Sequence, residues 1–257
     1  MNLDKATVEL LQKALTGSSE VLLAIIPQAT ADILQAVLRN PALAEYHLLA
    51  IIKRRDLGED LLKSICKQPL VESCHNLKVA LARHPRISAA QLGALLPHLY
   101  LFELLNLCYL PEITPDQKFA AERLIIQRLP ITPLGNKLTL ARRATPAVLE
   151  ALLKDKEPRL LEICLSNPQL KEGAVFQFLR SGSASAETIS MIARHPRWQM
   201  RPNLREAILT NPKTPPVWFT LWLPAMKTPE LKRLLSSNRL SPAQKKTVEE
   251  RLKKERP

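Results

Sequence analysis

The chain has 257 residues, 46% of them hydrophobic but only 4% aromatic, and a formal net charge of +13. That is enough apolar chain for a sizeable aliphatic core, which excludes a disordered polyelectrolyte. Only 6 Gly and no long alternating runs of β-branched residues exclude an all-β or doubly wound fold; helices remain, among which 21 Pro must be placed.

The chain opens Met1-Asn2-Leu3-Asp4-Lys5, with no basic stretch leading into an apolar run, so no secretory signal is expected. The first clear apolar helical stretch (Ile33, Leu34, Val37, Leu38) stops at Asn40-Pro41, and a second (Leu48, Leu49, Ile52) follows a short polar segment. The same punctuation recurs at Gln68-Pro69 and His84-Pro85. Proline pushes the residue before it out of the α region and suits the first turn of a new helix, so each pair predicts a helix boundary. The Asn or His ahead of it can donate to the open carbonyls that a helix end leaves, and Asn also tolerates left-handed geometry.

Residues 92–110 are apolar enough to raise a membrane span, but Pro97, His98, Glu103 and Asn106 interrupt them, and a buried helix pair is the reading. Thr114-Pro115, Thr132-Pro133, Thr145-Pro146, Thr214-Pro215 and Ser241-Pro242 read as N-caps with proline at the first helical position. Asn167-Pro168, His195-Pro196 and Asn211-Pro212 repeat the earlier boundaries. Residues 241–255 form a basic terminal helix, with Glu249, Glu250 and Glu255 among its cations, that reads as the polar end cap of a helical array.

Laid without a gap at an offset of 127, residues 34–130 fall on residues 161–257. Leu38, Asn40, Pro41, Leu43 and Glu45 then meet Leu165, Asn167, Pro168, Leu170 and Glu172. Pro69, Asn76, Leu77 and Pro85 meet Pro196, Asn203, Leu204 and Pro212; Leu96, Pro97, Pro115, Gln117 and Lys118 meet Leu223, Pro224, Pro242, Gln244 and Lys245. The boundary prolines are Pro41, Pro69 and Pro85 in one half and Pro168, Pro196 and Pro212 in the other, the same two intervals twice. Self-similarity at a fixed offset marks a repeat architecture. The expected fold is an all-α superhelix of about twelve to fourteen short helices without strands, duplicated as residues 1–130 and 131–257.

The segments 81–85 (LARHP), 192–196 (IARHP) and 208–215 (ILTNPKTP) resemble the A-x-[HN]-P-x-x-P core of leucine-rich-repeat-variant proteins, bacterial relatives of HEAT-type α-solenoids. The resemblance covers about half the chain and implies a right-handed superhelix of short helices. The chain departs from the family in the uneven spacing of its boundary prolines, and it lacks the amino-terminal cysteine cluster that some members use for an iron–sulfur centre.

Residues 1–130 hold 14 Lys and Arg against 13 Asp and Glu, and residues 131–257 hold 23 against 11, so the halves carry +1 and +12. The sharpest local excess is Arg194, Arg197, Arg201 and Arg205 with Trp198 among them and no acid between. Arginine beside tryptophan suits interface anchoring or phosphate and base contact, whereas the plainer reading is a solvated loop whose arginine stems cover apolar surface.

The chemistry of catalysis is not legible. No P-loop, dinucleotide-binding, zinc-protease or nucleophile-elbow pattern occurs, and the acidic pairs Glu59-Asp60 and Glu249-Glu250 diverge on a helix. Cys66, Cys74, Cys108 and Cys164, spaced 8, 34 and 56 apart, fit no metal pattern and read as reduced structural thiols of a cytoplasmic protein. No catalytic, cofactor-binding or metal-binding residue is assigned. The expected function is a non-catalytic scaffold for a protein partner, with residues 194–205 as contact zone. The alternative is nucleic-acid binding by the same zone. A HEAT-like DNA glycosylase is a third reading, in which Trp218 and Trp222 share one helix face.

Overall fold

In a computed structural model the chain is helical, and no strand occurs among the described residues, 5–155 and 157–254. Met1 to Asp4, read above for a signal, and Glu255 and Arg256 of the terminal basic helix lie outside them. The helices gather into two compact units, Met1–Arg128 and Leu129–Pro257.

Unit one holds α1 (Lys5–Thr16), α2 (Ser19–Ile25), α3 (Ala31–Val37), α4 (Glu45–Ile52) and α5 (Glu59–Cys66). It continues with α6 (Pro69–Ser73), α7 (His75–Ala82), α8 (Ala89–Leu95), α9 (Leu101–Leu107) and α10 (Pro115–Arg128). Unit two holds α11 (Leu134–Arg143), α12 (Pro146–Leu152), α13 (Pro158–Ser166), α14 (Glu172–Arg180) and α15 (Ala186–Arg194). Then come α16 (Pro202–Leu209), α17 (Pro216–Trp222), α18 (Thr228–Leu235) and α19 (Pro242–Lys254).

Nineteen α-helices among the described residues correct the expected twelve to fourteen. Prolines cut stretches that read as single helices. Pro27, Pro97, Pro130 and Pro224 each sit in a three-residue 3-10 turn, at Ile26–Gln28, Leu96–His98, Leu129–Ile131 and Leu223–Ala225. A proline has no N–H to continue the ladder and crowds the preceding turn, so the chain tightens there. Residues 92–110 are thereby split between α8, a 3-10 turn and α9, and no helix among the described residues is long and apolar enough to cross a membrane.

Within each unit the helices pack in alternating rows. In unit one α1 packs on α3 and α3 on α5, while α2 packs on α4 and α4, passing over the short α6, on α7. In unit two, α11, α13 and α15 form one such row and α12, α14 and α16 the other. Helix starts recur at the sequence offset: every helix from α12 to α19 begins 127 positions after one of α2 to α10, and α6 alone in that series is passed over. Leu48, Ile51, Leu62, Ile65, Leu77 and Leu81 are buried in unit one; Leu209, Phe219, Leu223, Leu231, Leu234 and Val248 form one core of unit two. Each such side chain stabilises the fold by roughly 1.5–3 kcal/mol relative to exposure.

The residue before the boundary proline does more than end a helix. Asn40 Oδ1 accepts the Ala42 amide at 2.7 Å, and its Nδ2 donates to the Ala14 and Gly17 carbonyls at 2.9 and 3.1 Å. Asn167 does the same with Gln169 and Ala141, both at 2.7 Å, and Asn211 with Lys213 and Leu179 at 2.9 and 2.6 Å. His84 uses Nδ1 to accept the Arg86 amide, so its Nε2 carries the proton and donates to the Arg54 carbonyl at 2.9 Å. The carbonyls that accept these bonds therefore belong to an earlier helix layer, not to the residue's own helix. The left-handed geometry that Asn tolerates is not used, because no residue among those described has positive φ.

Arginines close further gaps between layers. Arg54 donates to the Ile26 and Ala29 carbonyls, both at 2.7 Å, and Arg128 to Leu99 and Pro97 at 2.6 and 2.7 Å. Of the five expected Thr/Ser caps, Thr114 and Ser241 accept the amides of Gln117 and Gln244 at 3.3 Å, and Thr145 precedes Pro146 at the start of α12. Thr132 and Thr214 are displaced by one position, because Pro133 and Pro215 themselves hold the cap positions of α11 and α17.

Candidate functional site

The zone from Arg194 to Arg205 runs from the end of α15 through a turn into α16. His195 opens the turn by accepting the Arg197 amide on Nδ1 at 3.3 Å, while its Nε2 lies 3.3 Å from the Ser166 hydroxyl. Burial first, and then the Arg197 charge, hold the His195 imidazole below its ordinary pKa. Arg197 spans to the Asn167, Pro168 and Leu170 carbonyls at 2.6, 3.3 and 2.9 Å and lies over the Trp198 ring at 4.3 Å.

Trp198 is only 2% exposed, and its indole N–H donates to the Leu165 carbonyl at 2.9 Å. This corrects its place among the contact residues: the ring fills the layer boundary and has no face for a partner. At the matching position of unit one stands Val71, and the corresponding Leu38 carbonyl is taken by Gln68 at 3.3 Å. Arg197 is half-buried, with three carbonyls engaging its guanidinium.

Arg194 and Arg201 are exposed. Arg201 lies 3.7 Å from Glu172, and Arg194 lies over the Trp218 ring at 5.9 Å. Arg205 is half-buried; it donates to the Gln199 carbonyl at 2.7 Å and lies over the Trp222 ring at 5.5 Å. Trp218 and Trp222 are 5.1 Å apart, so α17 carries an indole pair with one guanidinium on each ring. Such contacts contribute about 0.5–2 kcal/mol each, depending on solvation. Trp218 is buried, with its N–H on the Ser190 hydroxyl at 3.0 Å, and Trp222 packs against the Leu223–Leu231 core.

The neighbouring stripe of α17 also brings apolar surface to solvent, as Leu15, Tyr100, Phe119 and Ile131 do elsewhere. Val217 is 49% and Leu221 58% exposed; four positions apart, they share a helix face. Met200 is 68% exposed, and its sulfur accepts from Arg205 at 3.4 Å. The matching positions of unit one hold Ala90, Ala94 and Ser73, so this apolar relief belongs to unit two. Sequence reasoning placed weight on Trp198 and missed Val217 and Leu221. The signal available was the larger apolar residue at each of those positions in the second half.

Groups with chemical potential elsewhere are engaged by the fold. His47 Nε2 lies 3.2 Å from the Ser19 hydroxyl, the spacing of a nucleophile and its base. Yet its Nδ1 accepts the Ala44 amide at 3.0 Å, so Nε2 carries the proton and donates to the Ser19 carbonyl at 3.0 Å. That tautomer has no lone pair for the hydroxyl proton. Burial raises the Cys66 thiol and pushes Cys108 and Cys164 up to about 12, which keeps these thiols protonated at neutral pH. Among the described residues no three His, Cys, Asp or Glu side chains are grouped to hold a metal ion. Compared with known proteins, the chain matches no family model and no curated protein.

Proposed function

We propose that the chain is a non-catalytic helical-repeat scaffold that binds a protein partner through unit two. In this reading each unit is a short α-solenoid of the leucine-rich-repeat-variant kind, and the two are copies of one plan. Alternating helix rows within each unit, and helix starts that recur at the offset of the sequence match, support it. The observation that carries the binding reading is the α17 face: Val217 and Leu221 stand exposed beside an indole pair braced by Arg194 and Arg205. Exposed apolar side chains on a helix whose two indoles each carry a guanidinium suit an amphipathic, acidic protein surface. Four unpaired thiols suit the reducing cytoplasm, the compartment proposed.

Nucleic-acid binding through Arg194 and Arg201 is the second reading, favoured by the +12 charge of the second half. Glycosylase chemistry is set third, because guanidinium rather than carboxylate faces the indole pair. Affinity capture with V217D/L221D beside the wild-type chain tests the first reading. A partner held by the wild type and lost by the variant is the expected result; identical captures overturn it. Binding of a plain oligonucleotide that collapses between about 50 and 200 mM salt would move the assignment to the second.

A further inference from the structure

We propose that unit two also holds a cleft, walled by α14 and α16, that takes an acidic extended segment of a protein partner between Arg180 and Arg239. The proposal rests on the reading of unit two as partner-binding, but on residues the α17 face does not use. The cleft has a volume of about 770 Å³, within the range of ligand-sized sites. Gly173, Phe176 and Arg180 of α14 line one wall and Asn203 and Glu206 of α16, with Thr210 just after it, another; the chain after α18 supplies Ser237, Asn238 and Arg239.

Its charges are unequally satisfied. Glu206 is ion-paired to Arg233 at 2.6 Å, and Glu172 accepts from Asn203 at 3.4 Å with Arg201 at 3.7 Å. Neither Arg180 nor Arg239 has an acidic partner among the described residues. Arg180 instead lies over the Phe176 ring at 5.3 Å, which steadies the guanidinium while its N–H edges stay open to a carboxylate.

Comparison with unit one shows how the cleft is made. At the matching positions there, Tyr46 stands for Gly173 and Glu112 for Arg239, with Leu110 and Pro111 for Ser237 and Asn238. A Cβ placed on Gly173 meets nothing within 4 Å, so the missing side chain is open volume. Unit two thus gains space and polar groups in place of apolar ones; Arg239 replaces an acid while Glu206 and Thr210 replace Val79 and Arg83, so two cations and two acids line each site but in different places.

The occupant follows from the lining. Asn203 and Asn238 offer both donors and acceptors, which match the alternating N–H and C=O of a peptide main chain. Two wall carboxylates would repel a phosphate backbone with its closely spaced charges, whereas a peptide with isolated acids avoids them. An extended segment with acidic side chains for Arg180 and Arg239 meets every requirement.

The test is fluorescence polarisation on the full chain at about 150 mM salt, where long-range attraction is screened. The probes are fluorescein-labelled octapeptides carrying two glutamates at each spacing in a Gly/Ser background. At least one spacing should bind. R180Q/R239Q and G173Y, which fills the cleft without changing charge, should each weaken it by about tenfold or more, a difference near 1.4 kcal/mol. R142Q/K246Q, equal in charge loss but at exposed residues outside the cleft lining, and V217D/L221D should leave it within about twofold. The inference is overturned if no spacing binds, if G173Y binds like the wild type, or if R142Q/K246Q loses as much as R180Q/R239Q. Full-strength peptide binding by V217D/L221D keeps the cleft separate from the fate of the α17 face.

Discussion

At the scale of single residues, the boundary before each proline carries more of the fold than its exposure to sequence reading would imply. Proline positions are local signals, and the helix ends at Asn40, His84, Asn167 and Asn211 are visible without a structure. The carbonyls these side chains reach are not, because they lie 23 to 32 residues away, on an earlier helix or just after it. Asn167→Ala strands the buried Ala141 carbonyl, at about 1–3 kcal/mol, and removes the part-buried bond to the Gln169 amide, worth about 0.5–1.5 kcal/mol. Urea unfolding of the variant should therefore show a loss of about 3 kcal/mol; a change no larger than at a surface site would deny the anchor its role. His195 holds the same position with a titratable ring. Its folded pKa lies below the ordinary value near 6.5, depressed by burial and then by Arg197, with Glu162 acting weakly in the opposite sense. The unfolded chain then takes up the proton first, so the contribution is intact above about pH 6.5 and is lost as pH falls toward the folded value. His195→Asn keeps the turn acceptor and a donor toward Ser166 but does not titrate. Urea midpoints at pH 7.5 and 5.5 should fall further for the wild type than for this variant; equal slopes would remove His195 from the acid response.

At the scale of elements, the all-helical class was legible from composition and the number of helices was not. Apolar periodicity runs straight through Leu96 and Leu223, where a 3-10 turn in fact separates two helices, so hydropathy merges what backbone geometry divides. Capping was legible where the hydroxyl sits one position before the first helical proline. At Thr214-Pro215-Pro216 the second proline is the one that starts α17, and the Thr214 hydroxyl donates to the Ile208 carbonyl instead. Thr145 marks the limit of such rules. It stands at the cap of α12 with Pro146 following, is fully buried, and its Oγ1 has no hydrogen-bond partner among the described residues. Leaving that hydroxyl unmatched costs about 1–3 kcal/mol, and valine has nearly its shape with no polar group. Thr145→Val should accordingly raise stability by about 1 kcal/mol in thermal or urea unfolding. A destabilised variant would mean that the hydroxyl is paired in solution.

At the scale of the molecule, the charge count located an asymmetry that the folded state sharpens and partly conceals. The +12 of residues 131–257 is plain in the sequence, but which cations are available is not. Arg197 is held by three carbonyls and Arg205 by one carbonyl and an indole, whereas Arg142, Arg194, Lys246 and Lys254 are exposed. The field of these groups decays within a Debye length of about 8–10 Å in ordinary buffer, so a polyanion responds to the surface it touches rather than to net charge. Two quadruple variants separate the alternatives. Neutralising Arg142, Arg194, Lys246 and Lys254 with glutamine removes four charges from +13, and so does neutralising Lys53, Lys67, Arg83 and Arg86 of unit one, so both variants stand at +9. If net charge governed retention on a heparin column, the two would elute alike. Because unit one is close to neutral while unit two is strongly basic, the unit-two variant should elute at clearly lower salt and the unit-one variant close to the wild type. Equal shifts would show that the whole chain, and not its second unit, presents the cationic surface.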